Sequence, residues 1–326
     1  MPYANLERAF AVLFWIFLVA IMAAGPISRA EAATCSVAVD ALNFGNVDTL
    51  SGLETSTTAN VAISCSSVSP NARAVTICGN FGAGSGGASS SARKLRSGSH
   101  SLDFQLSSSS AGGEPWGSYS NTSLGAPQRI VLSPSHKAAS GTITLYGTVL
   151  GGQPTAAAGS YASTFGAADT AFYYAEGTAL NCSAPTSGSL AQTSFTASAS
   201  VAGNCLIDVT DLNFGMHGVI DEDVTAEGSV DVTCTPGTAY MISMDGGLSG
   251  ANDPQRRLMR SGTHTIAYGL YADSTYRVPW GNTDSDRVSG TGTGDAQVIP
   301  IYGLVEPQPA AAGSYNDTVV VTITYP

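Results

Sequence analysis

Thr193-Ser-Phe-Thr-Ala-Ser-Ala-Ser-Val201 alternates strictly: Phe195, Ala197, Ala199 and Val201 are apolar, and the residues between them carry hydroxyls. A period of two marks a β-strand with one buried face. At about 3.3 Å per residue the stretch reaches roughly 30 Å, enough to cross a small β-sandwich. Just beyond it, Cys205-Leu-Ile-Asp-Val-Thr-Asp-Leu-Asn-Phe-Gly215 repeats a pattern already present at Cys35-Ser-Val-Ala-Val-Asp-Ala-Leu-Asn-Phe-Gly45. The strand therefore stands between two copies of one unit, and no comparable strand precedes the first copy.

The correspondence continues in order. A second cysteine follows in each copy, Cys65 and Cys234. Arg96-Ser-Gly-Ser-His100 matches Arg260-Ser-Gly-Thr-His264, and Pro115-Trp-Gly117 matches Pro279-Trp-Gly281. Leu145-Tyr-Gly147 matches Ile301-Tyr-Gly303, and Ala-Ala-Ala-Gly-Ser-Tyr occurs at 156–161 and 310–315. Spacing this long means a duplicated domain, not a short solenoid repeat. Matching cysteines should pair within each copy, Cys35 with Cys65 and Cys205 with Cys234, which leaves Cys78 for Cys182.

Strands are expected near 35–41, 59–65, 73–78, 100–106, 142–149 and 169–176. The second copy repeats them near 205–211, 228–234, 239–245, 264–271, 296–304 and 317–325. Gly, Pro, Asn and Asp clusters separate them, and no segment holds a helical period. The fold class is all-β: two tandem immunoglobulin-like β-sandwich domains, over 34–185 and 202–326. Such a sandwich wants seven strands and each copy shows six. The last one, with Val319, Val321, Ile323 and Tyr325 in alternation, ends the chain without a partner, an open edge that another strand should cover.

Residues 1–33 have the layout of a secretory signal peptide: the apolar run Ala9–Ala24, then Ala30-Glu-Ala32 for cleavage. The six cysteines all follow it and suit an oxidising, exported environment. Two of 13 basic and two of 24 acidic residues fall in the leader, so the net charge of −11 survives its removal. Ala33–Pro185 holds 6 basic and 7 acidic residues, Thr186–Pro326 holds 5 and 15. Neither half is basic, which argues against nucleic acid as a partner.

At these residues the chain resembles the spore coat protein U domain family. The alternating strand before Cys205, Leu212-Asn-Phe-Gly215, Val232-Thr-Cys-Thr235, Pro279-Trp-Gly281, Ile301-Tyr-Gly303 and Gly313-Ser-Tyr-Asn-Asp-Thr-Val319 carry the resemblance. That family includes subunits of archaic chaperone–usher pili, each an incomplete sandwich lacking its last strand. The resemblance implies a C-terminal domain lacking its last strand. It also implies a periplasmic pilus chaperone, an outer-membrane usher and an adjacent pilin subunit that donates a strand. Val319, Val321, Ile323 and Tyr325 then line the donor-strand groove. Phe195, Ala197, Ala199 and Val201 form an intramolecular donor strand completing the first domain. With nothing before Cys35 to donate, the subunit is expected at the pilus tip, an adhesin exported through the periplasm to the cell surface for attachment and biofilm formation.

A host or abiotic surface is the expected target. If 193–201 runs antiparallel to 169–176, the far loops are 66–72, 107–141 and 177–192, with Val68, Tyr119, Leu124 and Leu180 as exposed contacts. A secreted, self-completed coat or matrix protein is the alternative. An enzyme or carbohydrate-binding module lacks a visible acid pair or nucleophile–base set. Gly82-Ala-Gly-Ser-Gly-Gly87 fits G-x-G-x-x-G, but no helix follows it. Asp221-Glu-Asp223 lacks a calcium-loop pattern. His136 and His217 lack metal partners, so no metal, cofactor or catalytic residue is expected. Trp116 and Trp280 read as core anchors, and His100 and His264 as structural.

Overall fold

The structure, a computed structural model, describes residues 32–326; the signal-peptide reading falls almost wholly outside them. The first repeat contains β1 (Thr34–Val39), β2 (Leu42–Asn46), β3 (Thr55–Ser66), β4 (Val75–Phe81), β5 (Arg93–Ser97) and β6 (His100–Ser107). It continues with β7 (Gln128–Leu132), β8 (Ala139–Val149), β9 (Gly159–Phe165), β10 (Thr170–Glu176), β11 (Ser189–Gln192) and β12 (Phe195–Val201). The second repeat has β13 (Cys205–Val209), β14 (Val224–Cys234), β15 (Ala239–Met244) and β16 (Arg257–Ser261). It ends with β17 (His264–Tyr271), β18 (Val288–Thr291), β19 (Gln297–Val305) and β20 (Val321–Thr324). Each expected strand overlaps one of these; β2, β5, β7, β9, β11, β16 and β18 are additional.

In the first repeat an eight-stranded sheet, in the order β1-β3-β8-β6-β5-β9-β12-β2, faces a four-stranded sheet, β11-β10-β4-β7. The larger sheet curls, because its end strands β1 and β2 are joined by Asp40 and Ala41 alone. The second repeat has only five strands, β13-β14-β19-β17-β16, against three, β18-β15-β20. Separate apolar cores fill the two sandwiches. β3 shows how sequence builds them: Ala59, Val61, Ile63 and Cys65 are buried and the residues between them are exposed.

The recurring motifs meet in space. The Asn43 side chain accepts from Gly45 N at 2.9 Å, and Asn213 from Gly215 N at 2.8 Å. Both glycines have positive φ, 70° and 83°, which an Asx turn of this kind favours. Gly147 leaves room for that motif: a Cβ there would lie 2.5 Å from Leu42, and one at Gly303 2.8 Å from Phe214. Tyr161 and Tyr315 of the Ala-Ala-Ala-Gly-Ser-Tyr segments donate to Ala157 O and Ala311 O. The Arg-Ser-Gly-x-His segments are two-residue hairpin turns, Gly98-Ser99 and Gly262-Thr263, with glycine at positive φ.

Trp116 and Trp280 are fully buried, their indoles donating to Gly79 O and Ile242 O. Each tryptophan carbonyl accepts from a buried arginine, Arg93 at 2.8 Å and Arg257 at 2.7 Å. These guanidiniums also bond the carbonyls of Phe81 and Gly82, and of Met244 and Asp245. Burial pushes Arg93 down to about 9, which still leaves it charged at neutral pH. Burial also lowers Arg257. The arginine pair escaped the motif comparison, although each residue stands three positions before a matched Arg96 or Arg260.

Three disulfides join Cys35 to Cys65, Cys78 to Cys182 and Cys205 to Cys234. The second of these crosses the outer face of β4. That strand is buried on both faces because residues 177–182 and 117–121 cover Thr76, Cys78 and Asn80.

Candidate functional site: an open strand slot

β12 lies between β9 and β2. It runs antiparallel to β9 from Phe195 opposite Phe165 to Val201 opposite Gly159, and parallel to β2. The conditional placement against 169–176 is therefore corrected: β11, not β12, pairs with β10. The reason is that 159–176 is one path crossing from one sheet to the other at Gly166–Asp169. Its return path, 189–201, crosses back in step.

Phe195, Ala197, Ala199 and Val201 point inward and are at most 6% exposed. Phe195 stacks on Phe165 with ring centroids 4.5 Å apart and meets Phe81 edge-on at 5.6 Å. Burying such a ring contributes about 2–3 kcal/mol. In the parallel pairing with β2, Ala197 stands beside Leu42, and Leu42 and Phe44 are both buried.

The second repeat has the walls of this slot, and among the described residues no strand occupies it. Its counterpart of β2, Leu212–Met216, forms no strand, and neither does Gly313–Val319, the counterpart of β9. One bridge, Arg260 with Asn316, repeats the Arg96–Ala162 pairing of the first repeat. β20 pairs with β15 on one side and is a sheet edge on the other, where β10 has β11. The missing element thus corresponds to β11 and β12 together, about 40 Å of extended chain.

Apolar side chains line the vacant path. Leu212, Phe214, Tyr315, Val319, Val321 and Ile323 are half-buried against the second core. Val209 is 41% exposed, whereas its counterpart Val39 is 9% exposed. Of the residues expected in the groove, Val319, Val321 and Ile323 are on this wall. Tyr325 lies at its end, 36% exposed, with its hydroxyl 3.3 Å from Asn204 Oδ1. Leu212, Phe214 and Tyr315 were legible as repeat motifs, but nothing in the sequence alone said they face the same slot.

Near its middle the wall is polar. Tyr268 donates to Asp317 Oδ2 at 2.7 Å, and Asp317 Oδ1 accepts from Leu248 N at 2.8 Å. Burial first, then this hydrogen bond, raises Tyr268 well above the ordinary tyrosine range. The first repeat has Phe104 and Ser163 at these positions.

The expected surface contacts need correction. Val68 is 1% exposed, Leu124 0% and Leu180 7%; Val68 packs into the first core, Leu124 turns inward in a short 3-10 turn, and Leu180 packs toward Gly188. Tyr119 is half-buried and pairs edge-on with Tyr173 at 5.7 Å. Residues 115–121 lie along β4 instead of at the far end, with Gly117 O accepting from Phe81 N. Among the described residues no group of three or more His, Cys, Asp and Glu side chains is placed to hold a metal ion.

The sequence model of the Spore Coat Protein U domain matches residues 22–168 and 191–322, one match for each repeat. The chain belongs to the Spore Coat Protein U domain family. Protein U of Myxococcus xanthus is 35% identical over 127 residues, which is 35% of this chain and 71% of that protein. Among solved structures, the CsuC–CsuE chaperone–tip adhesion subunit pre-assembly complex from archaic chaperone-usher Csu pili of Acinetobacter baumannii matches at a TM-score of 0.52. That match has 19% identity and covers 89% of this chain and 99% of that one. The CupB6 tip adhesin of Pseudomonas aeruginosa gives a TM-score of 0.34 at 13% identity, over 91% and 96% of the two chains. The likeness to the Csu tip subunit is one of fold.

Proposed function

We propose that this protein is the strand-receiving tip subunit of a chaperone–usher pilus. Its first repeat meets the target, and its second repeat takes a strand first from a periplasmic chaperone and then from the neighbouring pilin at the outer-membrane usher. The observation behind this reading is the contrast between the slots: β12 occupies one, and the matching slot of the second repeat is lined with apolar residues and holds no strand among the described residues. The alternating segment ahead of Cys205 is seated in the first repeat, so it is not available to a neighbour. The fold shared with a chaperone–tip adhesion subunit complex supports the same reading. Export through the periplasm to the cell surface, and a role in attachment and biofilm formation, follow from it.

The test is strand uptake. A synthetic peptide with the sequence of Ser189–Val201 is added to the full chain, and hydrogen exchange is followed at Leu212–Phe214 and Tyr315–Thr324. Protection there, with stabilisation of the second repeat by about 2–3 kcal/mol at a hundredfold excess over Kd, is the expected result. A self-completed coat or matrix protein would take up no peptide and form no stable chaperone complex, and that outcome would overturn the proposal.

A further inference from the structure

We propose that the end of the first repeat farthest from the second is a binding surface for an anionic polysaccharide carrying carboxylate or sulfate groups. This deepens the adhesin reading and takes from it only that this end faces outward.

β12 ends at Val201 and Ala202–Asn204 lead to Cys205, so Val201 marks the end of the first repeat that faces the second. The opposite end is made by loops 67–74, 133–138 and 177–188. Hydrogen bonds tie them into one surface: Val68 N donates to Lys137 O, Gly177 N to Ala74 O, and Ser69 N to Glu176 Oε1. The pairing of Val75 with Leu132 sets Arg73 beside the 133–138 turn.

Three cationic side chains come to this end, Arg73, Arg129 and Lys137, with the imidazole of His136 beside them, all exposed. Arg129 donates to Thr178 O at 2.7 Å, which orients it along the loop while leaving further N–H groups outward. The other cations of the first repeat are engaged elsewhere. Arg93 is buried, Lys94 pairs with Asp103 at 2.6 Å, and Arg96 donates to Gly86 O. Among the described residues the one carboxylate at this end, Glu176, accepts from Ser69 N.

The rest of the molecule has the opposite sign. Asp48 and Glu54 are exposed at the end facing the second repeat, Asp40 is exposed half-way along β3 opposite Asn60, and 186–326 holds 15 acidic residues against 5 basic. A polyanion is therefore repelled by the body of the chain and attracted to its far end, which orients an end-on encounter. The turns at this end are tight: Ser67, His136 and Lys137 are three of the four non-glycine residues with positive φ among the described residues.

The chemistry favours a polysaccharide over a bilayer or an apolar solid. Val68, Leu124 and Leu180 are buried, and the exposed apolar side chains nearby, Val131 and Leu190, stand on strands β7 and β11 beside Arg129 and Tyr173, not on a projecting loop that could insert. On the adjoining sheet face Arg129 and Tyr173 flank Cys78 in one row, and Tyr173 pairs with Tyr119. A guanidinium fork matches a carboxylate or sulfate, and a half-exposed tyrosine offers its face to the C–H side of a sugar ring.

The experiment measures retention of the full chain on immobilised alginate, heparin and neutral dextran, and on anionic phospholipid vesicles, at low and high salt. Arg73→Ser/Lys137→Asn removes two tip charges; neither side chain holds the fold, and asparagine tolerates the positive φ at 137. Arg277→Ser/Arg287→Ser removes the same charge from the second repeat. Expected is binding to alginate or heparin but not dextran, about tenfold weaker in the tip variant, unchanged in the control and screened away by roughly 0.5 M salt. Equal weakening in both variants, vesicles bound as tightly as polysaccharide, or no retention on either anionic polysaccharide would overturn the proposal. Strand uptake by the second repeat is read separately, so the two proposals fail independently.

Discussion

Two halves of this chain carry the same motifs and end in different states. Leu42-Asn-Phe-Gly45 is a strand with Leu42 and Phe44 buried, whereas Leu212-Asn-Phe-Gly215 has no strand partner among the described residues and its Leu212 and Phe214 are half-buried. The local chemistry is shared, down to the Asx turn and the glycine of the Tyr-Gly motif that makes room for it. What differs is the segment that carries β11 and β12. β12 supplies hydrogen bonds to both of its neighbours and four apolar side chains to the core, and without it the flanking segments have nothing to pair with. A strand in a sheet is thus a property of its neighbours as much as of its own residues.

The sharpest way to break this comparison is Ala197→Asp. The site is fully buried between Ser163 and Leu42 and offers a carboxylate no partner. A loss of more than about 4 kcal/mol is expected, enough to unfold the first repeat. Protease resistance of the second repeat should stay unchanged; a matching loss there would mean the repeats are not separate units. Deleting 193–201 is expected to act the same way.

Next in size is the disulfide that the second repeat lacks. Its loop spans 104 residues, and Cys78→Ala/Cys182→Ala is expected to cost about 4 kcal/mol of the first repeat's stability in urea. Phe195→Ala follows, at about 3 kcal/mol by the same measurement, because it empties the space between Phe165 and Phe81. The smallest effect sharpens the comparison most. Gly147→Ala drives a methyl into Leu42 and Phe44, which β12 holds in place, and about 2 kcal/mol of overpacking is expected. Gly303→Ala meets Phe214 and Leu212 beside an open slot, where they can give way, and thermal unfolding should register less than about 1 kcal/mol.

The strands with clean alternation or long apolar runs were readable in advance, as was the duplication that pairs the repeats. Shorter elements were not. β9 escaped because Gly166–Asp169 breaks the path, so that only the β10 half shows a strand pattern. β2 is five residues with a turn inside it, too short for a period to register. Arg93 and Arg257 look like surface residues to any hydrophobic pattern, and their burial rests on carbonyls contributed by distant strands.

The loop residues carry the same lesson. Val68, Leu124 and Leu180 are apolar side chains in Gly, Ser and Pro-rich stretches, where periodicity says nothing about direction. The basic tip was equally hidden, because Arg73, Arg129 and Lys137 are scattered among neutral residues in three separate segments. Their convergence depends on how β4, β7 and the loop bearing Cys182 are tied together.

By itself the sequence determined that the chain is a duplicated, disulfide-bonded all-β protein with one extra alternating strand between its copies. Period, motif order and cysteine spacing are local or repeated signals, and they survive without coordinates. The tertiary structure alone decided where that strand sits, which matching slot is left without one, and which loop residues face water. Those depend on hydrogen-bond partners and side-chain neighbours far apart in the chain, which no local period encodes.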